Sequence, residues 1–555
     1  MDILIAMAQV NPHVGALEGN LERLLAAARR ARGLGAELCV FPELALTGYP
    51  PEDLLLKPLF LERLEEVERR FRQGLASIGI AAVYGSPRRA PGGLRNAAVL
   101  TEGGRELGWA GKHRLPNYGV FDEWRYFEPE SRFEPLTWRG VKWGLTICED
   151  IWHAGAPSSA LAAAGARVLL NLNASPYHIG KHREREEMVA RRAVETGLPV
   201  LYVNQVGGQD ELVFDGGSFA LNPPAVPGGE PEIAARMALF EEGVAVVRLR
   251  IEEGAPARFL PQPAPEREEA PREIYRALCL GLRDYVDKNG FSGVVLGLSG
   301  GVDSALTAAI AVDALGPERV HALMMPSAHT AQESLDDAAD CARRMGIPLA
   351  QTPIGPMQER FHQVLEEAFP GLMAGVTEEN VQPRIRATLL MALSNRRGWL
   401  LVTTGNKSEV STGYATLYGD MAGGFSVLKD LLKEEVYRLC EARNAWAEVE
   451  GQEPPIPRRV IDKPPSAELR PGQQDTDSLP PYPVLDPILR LYVEEERSPE
   501  EIAALGFDRE TVIRVARLVD GNEYKRRQAC PGVRITRRAF GKDRRYPITN
   551  GFRAG

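Results

Sequence analysis

The sequence predicts an α/β protein of two domains. Three observations carry that expectation: a length of 555 residues, too great for one ordinary core; two stretches in which short β-branched runs alternate with helical ones; and a proline- and acid-rich segment between them. The expected domains span residues 1–252 and 273–555, with 253–272 as linker.

In the first domain the short apolar runs at 3–9, 38–41, 80–84, 143–147, 168–173 and 201–204 read as strands, and 21–32 reads as a helix. The linker text EEGAPARFLPQPAPEREEAPR has no apolar period of either kind. A second alternation follows: helix 274–287, strand 293–298, helix 304–315, and strands 320–325 and 400–403, which implies parallel strands joined by crossover helices. Residues 449–485 hold many prolines and little periodicity inside what should be a compact domain, a pattern expected of a lid.

Composition excludes several classes. With 44% hydrophobic and 25% charged residues, neither a disordered nor a fibrous chain is favoured. The start carries Asp2 where a secretory signal would carry positive charge, and the apolar stretch SALTAAIAVDAL is too short for a bilayer and interrupted by Asp313, so no membrane role is expected. Six cysteines without a Cys-x-x-Cys pair argue against a zinc ribbon or a disulfide framework and fit a reducing, cytoplasmic compartment. A net charge of −9 disfavours a nucleic-acid partner, although residues 525–553 hold ten Lys or Arg against one acid.

Three polar residues follow apolar strands, where an open α/β sheet places its chemistry: Glu43 in LCVFPELALTGYP, Lys112 in GKHRLPNYGVFDEWRYF and Cys148 in VKWGLTICEDIW. A thiol attacks an amide carbonyl only as thiolate, so it needs a base or cation beside it. Glutamate and lysine supply both. Glu43 would take the thiol proton and later activate water, while Lys112 and the backbone N–H after Cys148 would stabilise the oxyanion. Read alone, a cysteine is usually a small buried hydrophobe, and only the set changes that balance. His178 and His182 lie four apart, but Pro176 and Gly180 make the segment a poor helix and no third ligand is evident, so no metal is expected there.

The words FPELALTGYP, KHRLPNYGVFDEWRYF and ICEDIW, in this order, resemble the Glu-Lys-Cys amidases of the nitrilase family, in the glutaminase branch attached to NAD synthetases. The resemblance spans most of residues 1–250 and implies a nitrilase-like α/β sandwich. It makes Glu43 the general base, Lys112 the oxyanion-stabilising lysine and Cys148 the nucleophile, with Glu123 a carboxylate near the lysine. It also implies that Tyr118, Ser175 and Lys181 bind substrate L-glutamine. Relatives often carry arginine at the last position, where this chain has a single-point charge in place of a bidentate fork.

In the second domain the strand at 293–298 runs into GLSGGVDS, residues 297–304, which opens a helix. Glycines let backbone approach phosphate, small hydroxyls add donors, and the helix N-terminus favours an anion. Gly297, Leu298, Ser299, Gly300, Gly301, Val302, Asp303 and Ser304 therefore form a candidate phosphate cradle. No Lys-Ser or Lys-Thr pair closes the glycine run, so it is not a Walker A loop. The string resembles the pyrophosphate loop of Rossmann-like ATP pyrophosphatases; alone it fits GMP, asparagine or argininosuccinate synthetases or a tRNA-thiolating enzyme.

The text NVQPRIRATLLMALSNRRGWLLVTTGNKSEVSTGYATLYGDMAGGFSVLKDLLKEEV then resembles the substrate-binding core of NAD synthetases. That resemblance implies that Thr404 and Lys433 contact ATP, that Asn380, Arg384, Glu409 and Lys525 serve deamido-NAD, and that Asp303 and Glu409 hold Mg²⁺. Leu417 stands where some ammonia-only relatives have lysine. The basic C-terminal stretch resembles the end of the same synthetases rather than a nucleic-acid tail. Together the halves imply ATP-dependent amidation of deamido-NAD, with ammonia released from glutamine or supplied free and moved through a sheltered passage, in a homo-oligomer. The alternative is an RNA-modifying ATP pyrophosphatase fused to an amidase.

Overall fold

The computed structural model describes residues 1–226, 228–371 and 375–552. The chain divides into two compact units, Met1–Glu268 and Glu269–Gly555. Within the proline-rich segment, Arg258–Phe259 forms a short edge strand paired with Leu249 and Arg250, and a helix starts at Ala270.

The first unit stacks two mixed sheets. One runs Arg258–Phe259, Gly243–Arg250, Asp2–Gln9, Leu38–Val40, Ala81–Ala90, Gly93–Glu102, Arg105–Gly111; the other runs Glu232–Arg236, Phe219–Asn222, Val200–Asn204, Val168–Asn173, Val141–Ile147, Leu136–Trp138. Strand alternation explains the layers. Ile3, Ile5 and Met7 point into a core shared with Leu145, Ile147, Leu170, Leu172 and Val203 of the facing sheet. Ala6 and Ala8, on the other face, pack with Leu21, Leu24 and Ala28 of the helix Leu17–Gly33 and with Val67 and Phe71 of Pro58–Ile78. The second sheet is covered in the same way by Met188, Val189 and Ala193 of Lys181–Thr196. The result is an α-β-β-α sandwich.

The second unit is built on a five-stranded, wholly parallel sheet in the order Leu349–Gln351, Val320–Met324, Val294–Gly297, Leu400–Thr403, Phe425–Ser426. The chain leaves the central strand in one direction and returns on its other side, so a crevice opens beyond the carboxyl end of Val294–Gly297. The expected irregular segment holds only short turns, Arg458–Asp462 and Asp475–Asp477, before the helix Tyr482–Leu489. All six cysteines are free, and no helix among the described residues is long and apolar enough to cross a membrane.

Candidate active sites

In the first unit, Glu43, Cys148 and Ser175 all lie just beyond the carboxyl ends of parallel strands, Leu38–Val40, Val141–Ile147 and Val168–Asn173. Cys148 has φ +42°, the left-handed region that a residue with a side chain enters only at a cost of about 1–2 kcal/mol. The sharp turn ends the strand and begins the one-turn helix Cys148–Ile151. Leu44, after Glu43, is also left-handed at +46°, and Gly85 lets the neighbouring strand approach: a Cβ there would fall 2.1 Å from Leu44 N.

Lys112 joins the acids. Its Nζ lies 2.8 Å from Glu43 Oε1 and 2.7 Å from Glu123 Oε1, with all three side chains buried. Glu43 also accepts from Asn96 Nδ2 at 2.7 Å and from Ala174 N at 3.0 Å, and Tyr49 OH donates to Glu123 at 2.7 Å. Burial pushes the Cys148 thiol well above its usual range, and the charge of Glu43 adds to this while Lys112 opposes it. The resting sulfur therefore keeps its proton, beside a carboxylate able to take it. Burial also works against the Lys112 ammonium, but Glu123 and Glu43 outweigh it and hold the lysine charged.

Asp150 locks the parts together. Its Oδ1 accepts from the amides of His113 at 2.9 Å and Arg114 at 2.8 Å, directly after Lys112, and its Oδ2 accepts from Ile147 N at 3.0 Å, directly before Cys148. Burial raises the pKa of Asp150 to about 6, against the pull of those amide donors.

Of the three expected glutamine-binding residues, Tyr118 and Lys181 lie within electrostatic reach of Cys148, and Ser175 follows the strand that pairs with the one ending just before Cys148. Tyr118 is 57% exposed, and its hydroxyl donates to Glu149 Oε2 at 2.9 Å. Lys181 Nζ sits 3.7 Å from the centre of the Trp152 ring and 3.4 Å from Glu184 Oε2. Burial, with help from Arg185, lowers its affinity for a proton. Ser175 is fixed by Asn204, which accepts its amide at 2.9 Å, and by the buried Arg185, which donates to its hydroxyl at 3.1 Å while forking onto Asp215 at 2.7 and 2.6 Å. Sequence reasoning missed Asn96, Tyr49, Glu149, Asp150 and Arg185.

In the second unit a cavity of about 560 Å³ occupies the crevice. Of the expected residues, Gly297, Leu298, Ser299, Gly301, Val302, Asp303, Ser304, Thr404, Lys433, Asn380, Glu409 and Lys525 line it. Gly300 supports the loop from behind: its φ is +80° and a Cβ would lie 2.2 Å from Ser334 O, so only glycine fits. The loop is pinned by Ser304 Oγ, which accepts from Ser299 N at 3.2 Å and donates to Gly301 O at 2.9 Å. Arg384 is exposed and donates to Leu417 O at 3.2 Å, outside the described cavity wall, which Arg386 and Arg470 line instead.

Two carboxylates meet one ammonium at the loop. Lys433 bonds to Asp303 Oδ2 and lies 3.6 Å from Glu409 Oε1. Asn406 donates to Asp303 Oδ1 at 2.9 Å and caps the helix Lys407–Thr412, accepting from Glu409 N at 3.0 Å. Burial and then the charge of Asp303 push Glu409 up to about 8, against the pull of Lys433. A cation approaching the two carboxylates would compete with Lys433 for them. Among the described residues no three acidic, histidine or cysteine side chains are arranged to enclose a metal, so an ion held here would need oxygens from a ligand.

Lys525 Nζ donates to Gly413 O at 2.7 Å and Ala415 O at 2.8 Å, and Asn380 Oδ1 accepts from Thr416 Oγ1 at 2.9 Å, so both brace the same wall. The basic C-terminal stretch is folded back by internal pairing: Arg526 and Arg544 with Glu523, Arg534 with Asp543, and Arg538 with Glu496.

Comparison with known proteins is consistent across both units. Residues 4–259 match the carbon-nitrogen hydrolase family and residues 274–529 match the NAD synthase family. The glutamine-dependent NAD(+) synthetase of Thermotoga maritima is 46% identical, with 99% of each chain covered. That of Rhodobacter capsulatus is 47% identical, covering 99% of this chain and 98% of its own. The solved structure of glutamine-dependent NAD+ synthetase from Acinetobacter baumannii in complex with ADP superposes with a TM-score of 0.77 at 44% identity, over 100% of both chains.

Proposed function

The chain belongs to the glutamine-dependent NAD(+) synthetases, and from that premise we propose how its two centres divide the work. The reaction is the ATP-dependent amidation of deamido-NAD to NAD with nitrogen from glutamine, giving AMP, pyrophosphate and glutamate. The observation that supports the assignment is the gathering of Glu43, Lys112 and Cys148 in one unit and of the loop Gly297 to Ser304 with Asp303 and Glu409 in the other.

In the first unit, Glu43 takes the Sγ proton as Cys148 attacks the amide carbon of glutamine. The new C–S bond forms, Lys112 meets the developing oxyanion, and the C–N bond breaks as the proton passes to departing ammonia. Water, deprotonated by Glu43, then opens the thioester and releases glutamate. Tyr118 and Ser175 orient the substrate, and Lys181 meets its carboxylate with a point charge steadied by Trp152. Glu149, 2.9 Å from the Tyr118 hydroxyl, supplies negative charge suited to the ammonium of the amino acid.

In the second unit the loop from Gly297 to Ser304, with Thr404 and Lys433, holds ATP, while Asn380, Glu409 and Lys525 hold deamido-NAD in the cavity and Arg384, outside its wall, meets the part of the dinucleotide that extends beyond it. Mg²⁺ bound by Asp303 and Glu409 together with phosphate oxygens would neutralise charge on the departing pyrophosphate. The nicotinate carboxylate displaces pyrophosphate from the α-phosphorus, and neutral ammonia displaces AMP from the resulting acyl adenylate. Ammonium in neutral water cannot attack, which favours sheltered transfer of the nitrogen; full dilution of glutamine-derived nitrogen by labelled external ammonium would contradict that transfer.

The assignment is tested by product stoichiometry. One AMP, one pyrophosphate and one glutamate should appear per NAD, and ADP with orthophosphate in their place would overturn it.

A further inference from the structure

The proline-rich segment that lines the nucleotide cavity carries a cation with no part in the chemistry above. Lys463 follows the turn Arg458–Asp462 and lines the same cavity as Ser299 and Ser304. Its Nζ bonds to Ser334 Oγ and lies 3.5 Å from Glu468 Oε1, and Ser334 Oγ donates to that same carboxylate oxygen at 2.5 Å. Ser334 is also the residue the phosphate loop rests on, since its carbonyl leaves no room for a Cβ at Gly300. The lysine, the carboxylate and the loop thus share one residue as their common contact.

The charges explain the arrangement. The loop has no lysine of its own, and Lys433 is already engaged by Asp303 and Glu409. A polyphosphate offers an ammonium several charged oxygens where Glu468 offers one carboxylate. Glu468 is held at φ +48°, an unfavourable conformation for a residue with a side chain, and its charge reaches the partly buried guanidinium of Arg386. Ser334 Oγ, which donates to Glu468, leaves that carboxylate partnered when Lys463 turns to another anion.

We propose that Lys463 binds the β- and γ-phosphates of ATP and the pyrophosphate that leaves, and that Glu468 is the competing counter-ion that holds Lys463 in the nucleotide-free protein. This rests on the reading of the glycine loop as an ATP site. In the step concerned a carboxylate oxygen forms its bond to the α-phosphorus, the bond from that phosphorus to the bridging oxygen breaks, and the electron pair leaves on pyrophosphate. Lys463 donates hydrogen bonds to that added charge, and no proton changes owner.

The test is calorimetric binding of inorganic pyrophosphate, ATP and AMP to the full chain and to Lys463→Met, Lys463→Arg and Glu468→Gln, each checked for fold by circular dichroism. Lys463→Met should weaken pyrophosphate and ATP by about tenfold or more, the loss of one charge-assisted bond, and leave AMP nearly unchanged. Lys463→Arg should keep most of the affinity, and Glu468→Gln should tighten pyrophosphate severalfold. Unchanged pyrophosphate binding in Lys463→Met, equal losses for AMP and pyrophosphate, or weaker binding in Glu468→Gln would overturn the proposal. A wild-type chain that binds neither ATP nor pyrophosphate would sink the ATP reading beneath it as well.

Discussion

The ammonium of Lys112 lies 2.8 Å from Glu43 Oε1, and solvent reaches neither side chain. A buried ion pair of this kind is tolerable only when the remaining polar atoms are satisfied. Asn96 and the amide of Ala174 satisfy Glu43, but Lys112 must also serve Glu123. Two buried carboxylates around one lysine leave an excess of negative charge, and a proton on one of them relieves it. Glu123 is the one raised, to about 7, by burial together with the charge of Glu43 and against the pull of Lys112. Its Oε2 has no hydrogen-bond partner among the described residues, which suits a protonated oxygen.

A pH dependence follows. Between about pH 4.5 and 7 the folded protein keeps a proton on Glu123 that the unfolded chain has released, so stability falls as pH rises through that window. Glu123→Gln copies the protonated form and still accepts from Tyr49 and Lys112 through one oxygen. In urea melts it should resemble wild type at pH 5 and exceed it at pH 8. A gap that stays constant with pH would remove Glu123 from this role.

Asp150 clamps the backbone after Lys112 to the backbone before Cys148. Asp150→Ala leaves three backbone amides without their acceptor, a loss of about 3 kcal/mol or more from the first unit. Glutamine hydrolysis should fall steeply while NAD formation from ammonium persists. Full glutaminase activity in the variant would show that the clamp is dispensable.

Much of this was legible in the sequence, for identifiable reasons. Parallel strands buried on both faces read as continuous apolar runs, so Val168–Asn173 and Val200–Asn204 stand out, and with them the positions just beyond where Glu43, Cys148 and Ser175 lie. The antiparallel pair Gly93–Glu102 and Arg105–Gly111 is glycine-rich and polar along much of its length, and it carries no such signal. The helix Pro58–Ile78 is missing from the expectations although Leu64, Val67, Phe71 and Leu75 repeat at helical spacing. Asn406 was readable as a helix cap with Glu409 three residues later. Asp150 and Arg185 were not, because their roles depend on chain segments brought together only by the fold.

Gly300 permits no substitution. Gly300→Ala forces the loop away from Ser334 O, and a displacement of about 1 Å at a reacting centre costs about a hundredfold in rate. AMP formation should fall by that order with glutamine and with ammonium alike, while glutaminase activity remains. A loss confined to the glutamine-driven reaction would contradict the loop's assignment.

Lys407 fixes the C-terminal stretch to the nucleotide unit. Its buried Nζ lies 2.8 Å from Asp430 Oδ1, 2.7 Å from Glu494 Oε1 and 3.0 Å from Thr536 Oγ1, and Asp430 also accepts the amides of Ile535 and Thr536. Lys407→Met removes the cation between buried Asp430 and partly buried Glu494, at a cost of about 3 kcal/mol. Amide exchange across residues 535–544 should accelerate ahead of the central sheet; exchange at the wild-type rate would show that the network bears no load.

The most direct test is NAD formation by purified Cys148→Ala, assayed with glutamine and with ammonium as separate nitrogen donors. Synthesis from glutamine should vanish while synthesis from ammonium continues near the wild-type rate. Undiminished use of glutamine, or equal loss with both donors in a folded protein, would contradict a sulfur that only liberates nitrogen and a separate centre that only captures it.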